Sequence, residues 1–199
     1  MTRKTRAQLS HQRDIIMSDT AQTSSQPGSP IPSDDPQRTL TVANPDAPAM
    51  RHISVAGDIY TILVGGAQSD GRYCLIDMHV PPGGEPPPHR HDFEEMFTLL
   101  EGELEFTFRG EKSVVRAGST VNIPANAPHA FKNASARDAR MLCMCTPAGQ
   151  EEFFIAIGDA VNGRTAPPPK LSKDEIAERQ KKAAGLLAKY RTEMVGPAS

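Results

Sequence analysis

The sequence predicts an all-β domain, either a jelly-roll sandwich or a small barrel. From residue 39 to residue 147, short apolar runs are separated by Gly, Pro, Asn and Asp at intervals of roughly ten residues, which is typical of antiparallel strands. Leu104, Phe106 and Phe108 alternate with polar residues, so one face of that strand is apolar. The 15 Gly and 18 Pro, with only 5% aromatic residues, favour short strands and tight connections over long helices.

The chain has 199 residues, enough for one ordinary domain with tails. Residues 1–38 are rich in Ser, Thr, Gln, Asp and Pro and lack a sustained apolar period, so we predict a disordered N-terminal tail. Its basic start lacks the apolar stretch of a secretory signal, which favours a plain extension over a targeting role. We predict the β-barrel over residues 39–147 and a helical extension over residues 148–199.

Strands within the barrel follow from apolar runs bounded by turn residues. About eight or more short strands are expected, which suits a jelly roll or a small barrel. The clearest turns are Glu101–Gly102 and Arg109–Lys112. The strands predicted around them are Glu95–Leu100, Glu103–Phe108, Ser113–Arg116, Val121–Ile123, Ala130–Lys132 and Arg140–Cys145.

After Pro147 the apolar period shifts towards 3.6 residues, which indicates helices. A short helix is predicted over Glu151–Ile157, followed by the stiff spacer Pro167–Pro169. Ser172 and Glu175 form a capping box at the start of a terminal helix. Its predicted apolar stripe consists of Ile176, Ala183, Leu187, Tyr190 and Met194.

Charge and cysteine content exclude several classes of protein. The 22 Lys+Arg and 24 Asp+Glu residues give a net charge of −2, which does not attract nucleic acid or an anionic membrane surface. No apolar run is long enough to cross a bilayer. The 3 cysteines are too few for a disulfide scaffold and lack Cys-x-x-Cys spacing, so we expect a soluble protein of a reducing compartment, the cytoplasm.

Four residues form a candidate metal site. His89 and His91 are two apart, so on an extended backbone both imidazoles project from one face. Glu95 begins the next strand, with its carboxylate on the interior side. His129 lies on a late strand, and closure of a barrel brings it opposite the first three. Three nitrogens and one carboxylate suit a divalent iron, manganese, nickel, cobalt, copper or zinc ion without selecting among them.

The spacing of these residues resembles the two signatures of the cupin superfamily. Both signatures end in Gly or Asn and enclose the four candidate ligands. The first runs Gly83, five residues, His89-Arg90-His91, three residues, Glu95, six residues, Gly102; the second runs Gly118, five residues, Pro124-Ala125-Asn126, two residues, His129, three residues, Asn133. The one departure is Asn126, which stands where the family usually has Gly. Asn tolerates a left-handed backbone, so we expect the turn to survive.

The resemblance implies a cupin jelly-roll barrel that binds one divalent metal ion through His89, His91, Glu95 and His129. A finer similarity, to bacterial quercetin-dioxygenase-like cupins with a single barrel, rests on Pro147–Gly149, Glu152–Phe154 and the end of the chain near Val195–Pro197. It implies a metal-dependent dioxygenase that acts on a small enolisable or aromatic hydroxy compound, with dioxygen as co-substrate. Glu95 is then either a permanent ligand or, as in quercetinases, the general base that accepts the substrate hydroxyl proton.

Two other functions stay open at this point. An oxygen-independent isomerase uses the same ion to stabilise an enediolate, and a non-catalytic module binds a small molecule without turnover. The family commonly pairs its barrels, and the outward Met96 and Leu100 are suited to such a face, so we expect a homodimer.

Several residues near the signatures have a structural and a functional interpretation. The large apolar residues either line a pocket or fill the core, and core filling is favoured. Cys143 and Cys145 are expected to be a buried inert pair, and Glu94, His52 and His79 are expected to lie outside the site. The apolar set consists of Phe97, Leu99, Phe106, Phe108, Ile123 and Phe131.

Overall fold

The computed structural model describes residues 31–196, so most of the predicted disordered tail lies outside the described residues. Of the described residues, 37–196 form one compact unit. Of the unit that precedes it, residues 31–36 are described, and these are exposed and form neither helix nor strand. Within residues 31–196, no helix has the length and the apolar character needed to cross a membrane.

Strands dominate the described residues. The strands are β1 His52–Val55, β2 Asp58–Val64, β3 Cys74–Val80, β4 His89–His91, β5 Glu94–Glu101, β6 Glu103–Phe108, β7 Glu111–Arg116, β8 Thr120–Ile123, β9 His129–Lys132, β10 Ala139–Thr146, β11 Asp159–Val161 and β12 Thr192–Met194. The helices are α1 Gly66–Ser69, α2 Gln150–Ile157 and α3 Lys173–Leu186.

The strands form two antiparallel sheets. One is seven-stranded, in the order β11-β1-β2-β3-β10-β5-β8, and the other is five-stranded, in the order β12-β4-β9-β6-β7. Non-consecutive neighbours in both sheets show that the chain crosses repeatedly between them. The predicted all-β jelly-roll fold with short C-terminal helices is confirmed.

Aromatic side chains from both sheets meet in the interior. Phe97 of the seven-stranded sheet contacts Phe106 and Phe131 of the five-stranded sheet, with ring centroids 5.4 and 5.8 Å apart. All three are buried, and the Phe97–Phe131 pair is edge-to-face, so these contacts stabilise the packing between the sheets. These rings fill the core, which is the interpretation that the sequence analysis favours over a pocket lining.

Backbone hydrogen bonds connect the two cupin-like signatures at their ends. The start of the first signature bonds the end of the second, and the end of the first bonds the start of the second. The Gly83 amide donates to the Asn133 carbonyl at 2.9 Å, and the Asn133 amide donates to the Gly84 carbonyl at 2.9 Å. At the other pair of ends, the amide of Ala117, next to Gly118, donates to the Gly102 carbonyl at 3.0 Å. Gly102 has φ 75°, and a Cβ there would lie 2.8 Å from the Asp138 carbonyl oxygen, so only glycine fits.

The C-terminal extension differs in one respect from the prediction. Helix α2 and the capping box of α3 form as expected. The prediction that the apolar stripe of this helix extends to Met194 is wrong, because α3 ends at Leu186 and Met194 lies in β12. Arg191 adopts φ 54°, which turns the chain so that β12 can pair with β4. Pairing with a distant strand overrides the local helical pattern there.

Within residues 31–196, one carboxylate buried in the core has no charged partner. Asp58 is 1% exposed, and neither carboxylate oxygen has a hydrogen-bond partner among residues 31–196. Burial raises the pKa of Asp58 to about 8, and the nearby Tyr60 hydroxyl offsets this only in part. The side chain lies against Gly84, where a Cβ would come within 2.2 Å of Oδ1. The carboxyl group is therefore protonated in the folded protein at neutral pH.

We expect Asp58→Asn to change the pH dependence of stability. In the unfolded chain Asp58 ionises near 3.8, far below its folded pKa of about 8, so the folded state holds a proton that the unfolded state has lost. Stability conferred by that proton is complete below the unfolded pKa and is lost as pH rises towards the folded pKa, by at most about 1.4 kcal/mol per pH unit. In urea unfolding, the free energy of unfolding of the variant relative to that of the wild type should increase from pH 5 to pH 8.

Asp70→Asn makes the same substitution at an exposed carboxylate and serves as the control. Parallel pH profiles for wild type and Asp58→Asn would contradict the assignment of a protonated, unpaired Asp58.

Candidate metal centre

Four side chains with metal-binding atoms converge between the two sheets. His89 and His91 lie on β4 and His129 lies on β9, both in the five-stranded sheet, whereas Glu95 lies on β5 of the seven-stranded sheet. One nitrogen or oxygen atom of each residue lies within 4.8 Å of the others. The structure therefore brings together all four residues that the sequence singled out.

Strand pairing sets the positions of the histidines. His89 and His129 are direct neighbours across β4 and β9, with ring centroids 4.4 Å apart. His91, two residues further along β4, projects from the same face, and its ring lies 4.9 Å from that of His129. His91, Glu95 and His129 are buried, whereas His89 is partly exposed. Access to the cluster from solvent is therefore past His89.

Each imidazole is oriented by a hydrogen bond from its Nδ1 to a backbone carbonyl. A carbonyl oxygen only accepts, so Nδ1 must carry the hydrogen, and the neutral ring then presents the lone pair of Nε2. This arrangement is the one that fixes histidine ligands in metal sites. The bonds run from His89 to Pro87, from His91 to Phe93 and from His129 to Ala127, at 2.9, 2.9 and 3.0 Å.

The carboxylate of Glu95 faces two of these nitrogens. Its Oε2 lies 3.1 Å from Nε2 of His91 and 3.1 Å from Nε2 of His129. Lone pairs on neutral rings repel an anionic oxygen at this distance, so a cation, either a proton or a metal ion, is required between them. Two atoms bound to one ion at about 2.1 Å lie about 3 Å apart at a right angle, so the observed separations fit a metal ion.

Protonation at the cluster follows from burial and charge. Burial alone would raise the pKa of Glu95, but the close contacts with His129 and His91 outweigh it and hold the pKa well below its usual range. Burial would lower the pKa of His129, but the Glu95 carboxylate outweighs it and the pKa is raised. Burial, followed by the neighbouring His129, lowers the pKa of His89 to about 4. Glu95 is thus an anion and His89 a neutral lone-pair donor at neutral pH.

The second oxygen of Glu95 faces two thiols. Cys143 Sγ lies 3.2 Å and Cys145 Sγ lies 3.6 Å from Oε1. The hydrogen bond with Cys145 acts to lower the pKa of Cys143, but burial and the Glu95 charge outweigh it and raise the pKa to about 12. The thiols are therefore protonated donors. Their spacing predicts that they share a face but not that they contact Glu95, which depends on β10 pairing with β5.

Strand β12 supports the strand that carries two of the histidines. It pairs with β4, which would otherwise be the edge of the five-stranded sheet. The Arg90 guanidinium donates to the Glu193 carboxylate at 2.9 Å, and Arg191 forms an ion pair with Asp92. Local sequence carries no signal for this support, because the partners are about one hundred residues apart.

Glu94 holds the turn that precedes His129. Its Oε1 accepts a hydrogen bond from the Ala125 amide at 3.1 Å, and its Oε2 accepts one from the Asn122 side chain at 3.3 Å. Asn126 has φ 68°, the left-handed conformation expected of it, and its amide donates to the His91 carbonyl at 2.6 Å. Glu94 therefore lies outside the cluster, as expected, but orders the loop behind it.

His52 and His79 lie away from the cluster, as expected. His52 Nδ1 is 2.8 Å from the Thr61 hydroxyl, and His79 is 3.6 Å from the Asp138 carboxylate. Strand pairing places His52 beside Thr61 and His79 beside Ile59, on the face of the seven-stranded sheet opposite to Tyr60 and the core.

The fold and the four-residue cluster define a class of protein, a small jelly-roll barrel with a buried three-histidine, one-carboxylate centre. Residues 76–145 match the family described as the cupin domain. This part of the chain is therefore a cupin domain, which confirms the resemblance found in its two signatures.

Curated relatives match the barrel at low identity. The chain is 26% identical to quercetin 2,3-dioxygenase of Bacillus subtilis over 129 residues, which are 64% of this chain and 38% of that enzyme. It is 33% identical to an uncharacterized protein of Methanocaldococcus jannaschii over 82 residues, 41% of this chain and 66% of that protein. It is 32% identical to auxin-binding protein 1 of Arabidopsis thaliana over 104 residues, 48% of this chain and 49% of that protein. The matches thus span 38% to 66% of these relatives' lengths.

Solved structures also resemble this one. One is described as a predicted oxalate decarboxylase from Thermotoga maritima, with a TM-score of 0.47, 21% identity and coverage of 53% of this chain and 98% of that chain. Another is an RmlC-like cupin from Shewanella frigidimarina, with a TM-score of 0.46, 16% identity and coverage of 52% and 89%.

Removal of β12 should weaken metal binding. A chain that ends at Tyr190 leaves β4 as an edge strand, so His89 and His91 lose the backbone that fixes them. Because loss of outer supports typically costs about 10- to 100-fold in metal affinity, we expect a loss of that size for Co²⁺ in calorimetric titration. A chain that ends at Gly196 retains β12 and should bind like the full chain. Equal affinities for both truncated chains would show that β12 does not support the site.

Proposed function

We propose that this cupin is a metal-dependent dioxygenase that acts on a small enolisable or aromatic hydroxy compound. The observation that carries the proposal is the convergence of three oriented imidazoles on Oε2 of Glu95, at 3.1 Å from two of their nitrogens. His89, His91, His129 and Glu95 would hold one divalent ion. When bound, such an ion supplies Lewis acidity that lowers the pKa of a coordinated substrate hydroxyl.

The protein's own residues prepare the site for proton transfer. Glu95 is buried against the imidazoles, so it is the carboxylate positioned to accept the proton of a substrate hydroxyl. The three histidines keep their Nδ1 hydrogens on backbone carbonyls and take no part in that transfer. Phe93 stacks on the His91 ring at 3.8 Å, which limits its rotation. Substrate would approach past the partly exposed His89.

Relatives support more than one function for this type of barrel. The similarity to quercetin 2,3-dioxygenase supports oxygen chemistry on a hydroxylated aromatic compound. The similarity to an auxin-binding protein supports the alternative of a binding module without turnover. We favour the enzyme because the buried Glu95 places a carboxylate oxygen, able to act as ligand or as base, within 4.8 Å of three imidazole nitrogens.

Oxygen uptake tests the proposed activity. Protein loaded in turn with Fe²⁺, Mn²⁺, Ni²⁺, Co²⁺, Cu²⁺ and Zn²⁺ is mixed with flavonols, catechols and hydroxy-ketones in an oxygen electrode. We expect uptake with at least one pair of metal and substrate. Glu95→Gln should lower the rate at least about 100-fold, because it removes the base and a ligand charge. His52→Ala, a change at a histidine outside the cluster, should leave the rate unchanged.

Other outcomes of the same assay identify the alternatives. Turnover of a hydroxy-ketone without oxygen would identify an isomerase. Tight binding of a compound with no product under any metal would identify a binding module, and either result would overturn the dioxygenase.

We also propose that two copies associate through the outer face of the seven-stranded sheet. Leu75, Met144 and Met96 lie side by side across β3, β10 and β5, and each is only partly buried in one chain. The neighbouring Leu100 is 38% exposed. A second copy suits this patch because a two-fold axis brings identical apolar rows together.

Light scattering should give twice the chain mass of 21.5 kDa. Met96→Glu should shift the protein to a monomer, because it places a charge in the apolar row. Val114→Glu places the same charge on the other sheet and should leave the dimer intact. A monomeric wild type, or a dimer that survives Met96→Glu, would overturn this assignment.

The proposed location is the cytoplasm. All 3 cysteines of the sequence are free and buried. Unpaired thiols persist in a reducing compartment, which supports this location.

A further inference from the structure

We propose that Cys143 and Cys145 are positioning residues for Glu95, whose Oε1 they hold by thiol hydrogen bonds so that Oε2 alone faces the three imidazoles. This inference rests on the proposed metal site. It assigns the two thiols a task that their sequence pattern does not reveal.

Strand pairing places the thiols beside the carboxylate. Glu95 of β5 is the direct neighbour of Cys145 on β10, and Phe97 is the neighbour of Cys143. All four side chains are buried and lie on the inward face of the seven-stranded sheet. Glu95 is therefore approached by the thiols from its own sheet and by the histidines from the opposite sheet.

The two oxygens of Glu95 have separate sets of partners. Oε2 lies 3.1 Å from a nitrogen of His91 and of His129. Oε1 lies 3.2 Å from Cys143 Sγ and 3.6 Å from Cys145 Sγ, and no other hydrogen bond to it occurs among residues 31–196. Without the thiols, Oε1 would be a buried acceptor with no donor, which costs free energy and invites rotation of the carboxylate.

A thiol is a weak donor, which suits this task. It orients Oε1 without withdrawing as much charge from the carboxylate as an N–H or O–H donor would. A carboxylate held at Oε1 is favoured as a monodentate ligand through Oε2. Glu95 then accepts a substrate proton in place, because swinging away would break both contacts.

The same atoms allow one competing interpretation. Glu95, Cys143 and Cys145 also lie close enough together to hold a thiophilic metal ion. Hydrogen bonding is favoured because both thiols are fully buried and the 3.2 Å contact of Cys143 suits an S–H donor. An ion bound by the thiolates would instead be detected by the stoichiometry of Cd²⁺ binding.

The first measurement is the Raman S–H stretching band of the full-length protein prepared without metal. We expect Cys143→Ala to remove a component at the low frequency of a hydrogen-bonded thiol, and Glu95→Gln to shift that component upwards. Cys74→Ala removes a buried cysteine that neighbours Cys145 rather than Glu95, and it should leave the Cys143 component in place. A Cys143 band at the frequency of a free thiol would overturn the inference whether or not the protein binds metal.

The second measurement uses Co²⁺ as the probe. We expect Cys143→Ala to weaken Co²⁺ binding about 10-fold and to change the visible absorption spectrum, because the carboxylate can turn and bind through both oxygens. Cys143→Ser keeps a donor and should restore the wild-type spectrum, and Cys74→Ala should retain it. Identical spectra and affinities for wild type and Cys143→Ala would overturn the positioning role.

Stoichiometry separates the remaining outcomes. A second equivalent of Cd²⁺ that is lost in Cys143→Ala would show that the thiols are themselves metal ligands, which overturns the inference. Failure of the wild type to bind any of the metals would refute the proposed function, whereas the Raman result on metal-free protein still decides whether the thiols hold Oε1.

Discussion

The contact between Glu95 of one sheet and the three histidines of the other is the interaction on which the rest depends. The histidines belong to the five-stranded sheet and the carboxylate to the seven-stranded sheet, so their ligand atoms meet only when the two sheets are packed correctly. The Phe97, Phe106 and Phe131 rings set that packing. An uncompensated anion that faces two imidazole lone pairs at 3.1 Å is costly in a dry interior, so a bound cation would stabilise the fold as well as the site.

The supports of the site come from every direction around it. Backbone carbonyls orient the imidazoles, β12 covers the edge of β4, and Glu94 holds the turn before His129. Two thiols reach the far oxygen of Glu95. Between them these supports reach all four residues of the cluster, so together they favour one geometry of the cluster.

Local patterns were sufficient to predict strands β5 to β10 and the four residues of the cluster. Alternation in β6 and the His-x-His spacing act over a few residues, and the family signatures contain the spacing that brings His129 to His89. What the sequence did not reveal depends on tertiary pairing. The pairing of β12 with β4 joins residues about one hundred positions apart, and the contact of Cys143 with Glu95 joins residues about fifty positions apart. The end of α3 at Leu186 accompanies the first of these pairings. Asp58 carried no sequence signal either, because its lack of a partner is a property of the packed core.

Elemental analysis of protein purified without added metal tests the central claim most directly. We expect close to one equivalent of a divalent transition metal per chain in the wild type and in His52→Ala, whose imidazole bonds Thr61 outside the cluster. His91→Ala should retain less than about one tenth of that content, because it removes a buried ligand. A wild type without metal that also fails to take it up, or equal metal content in His91→Ala, would contradict the account.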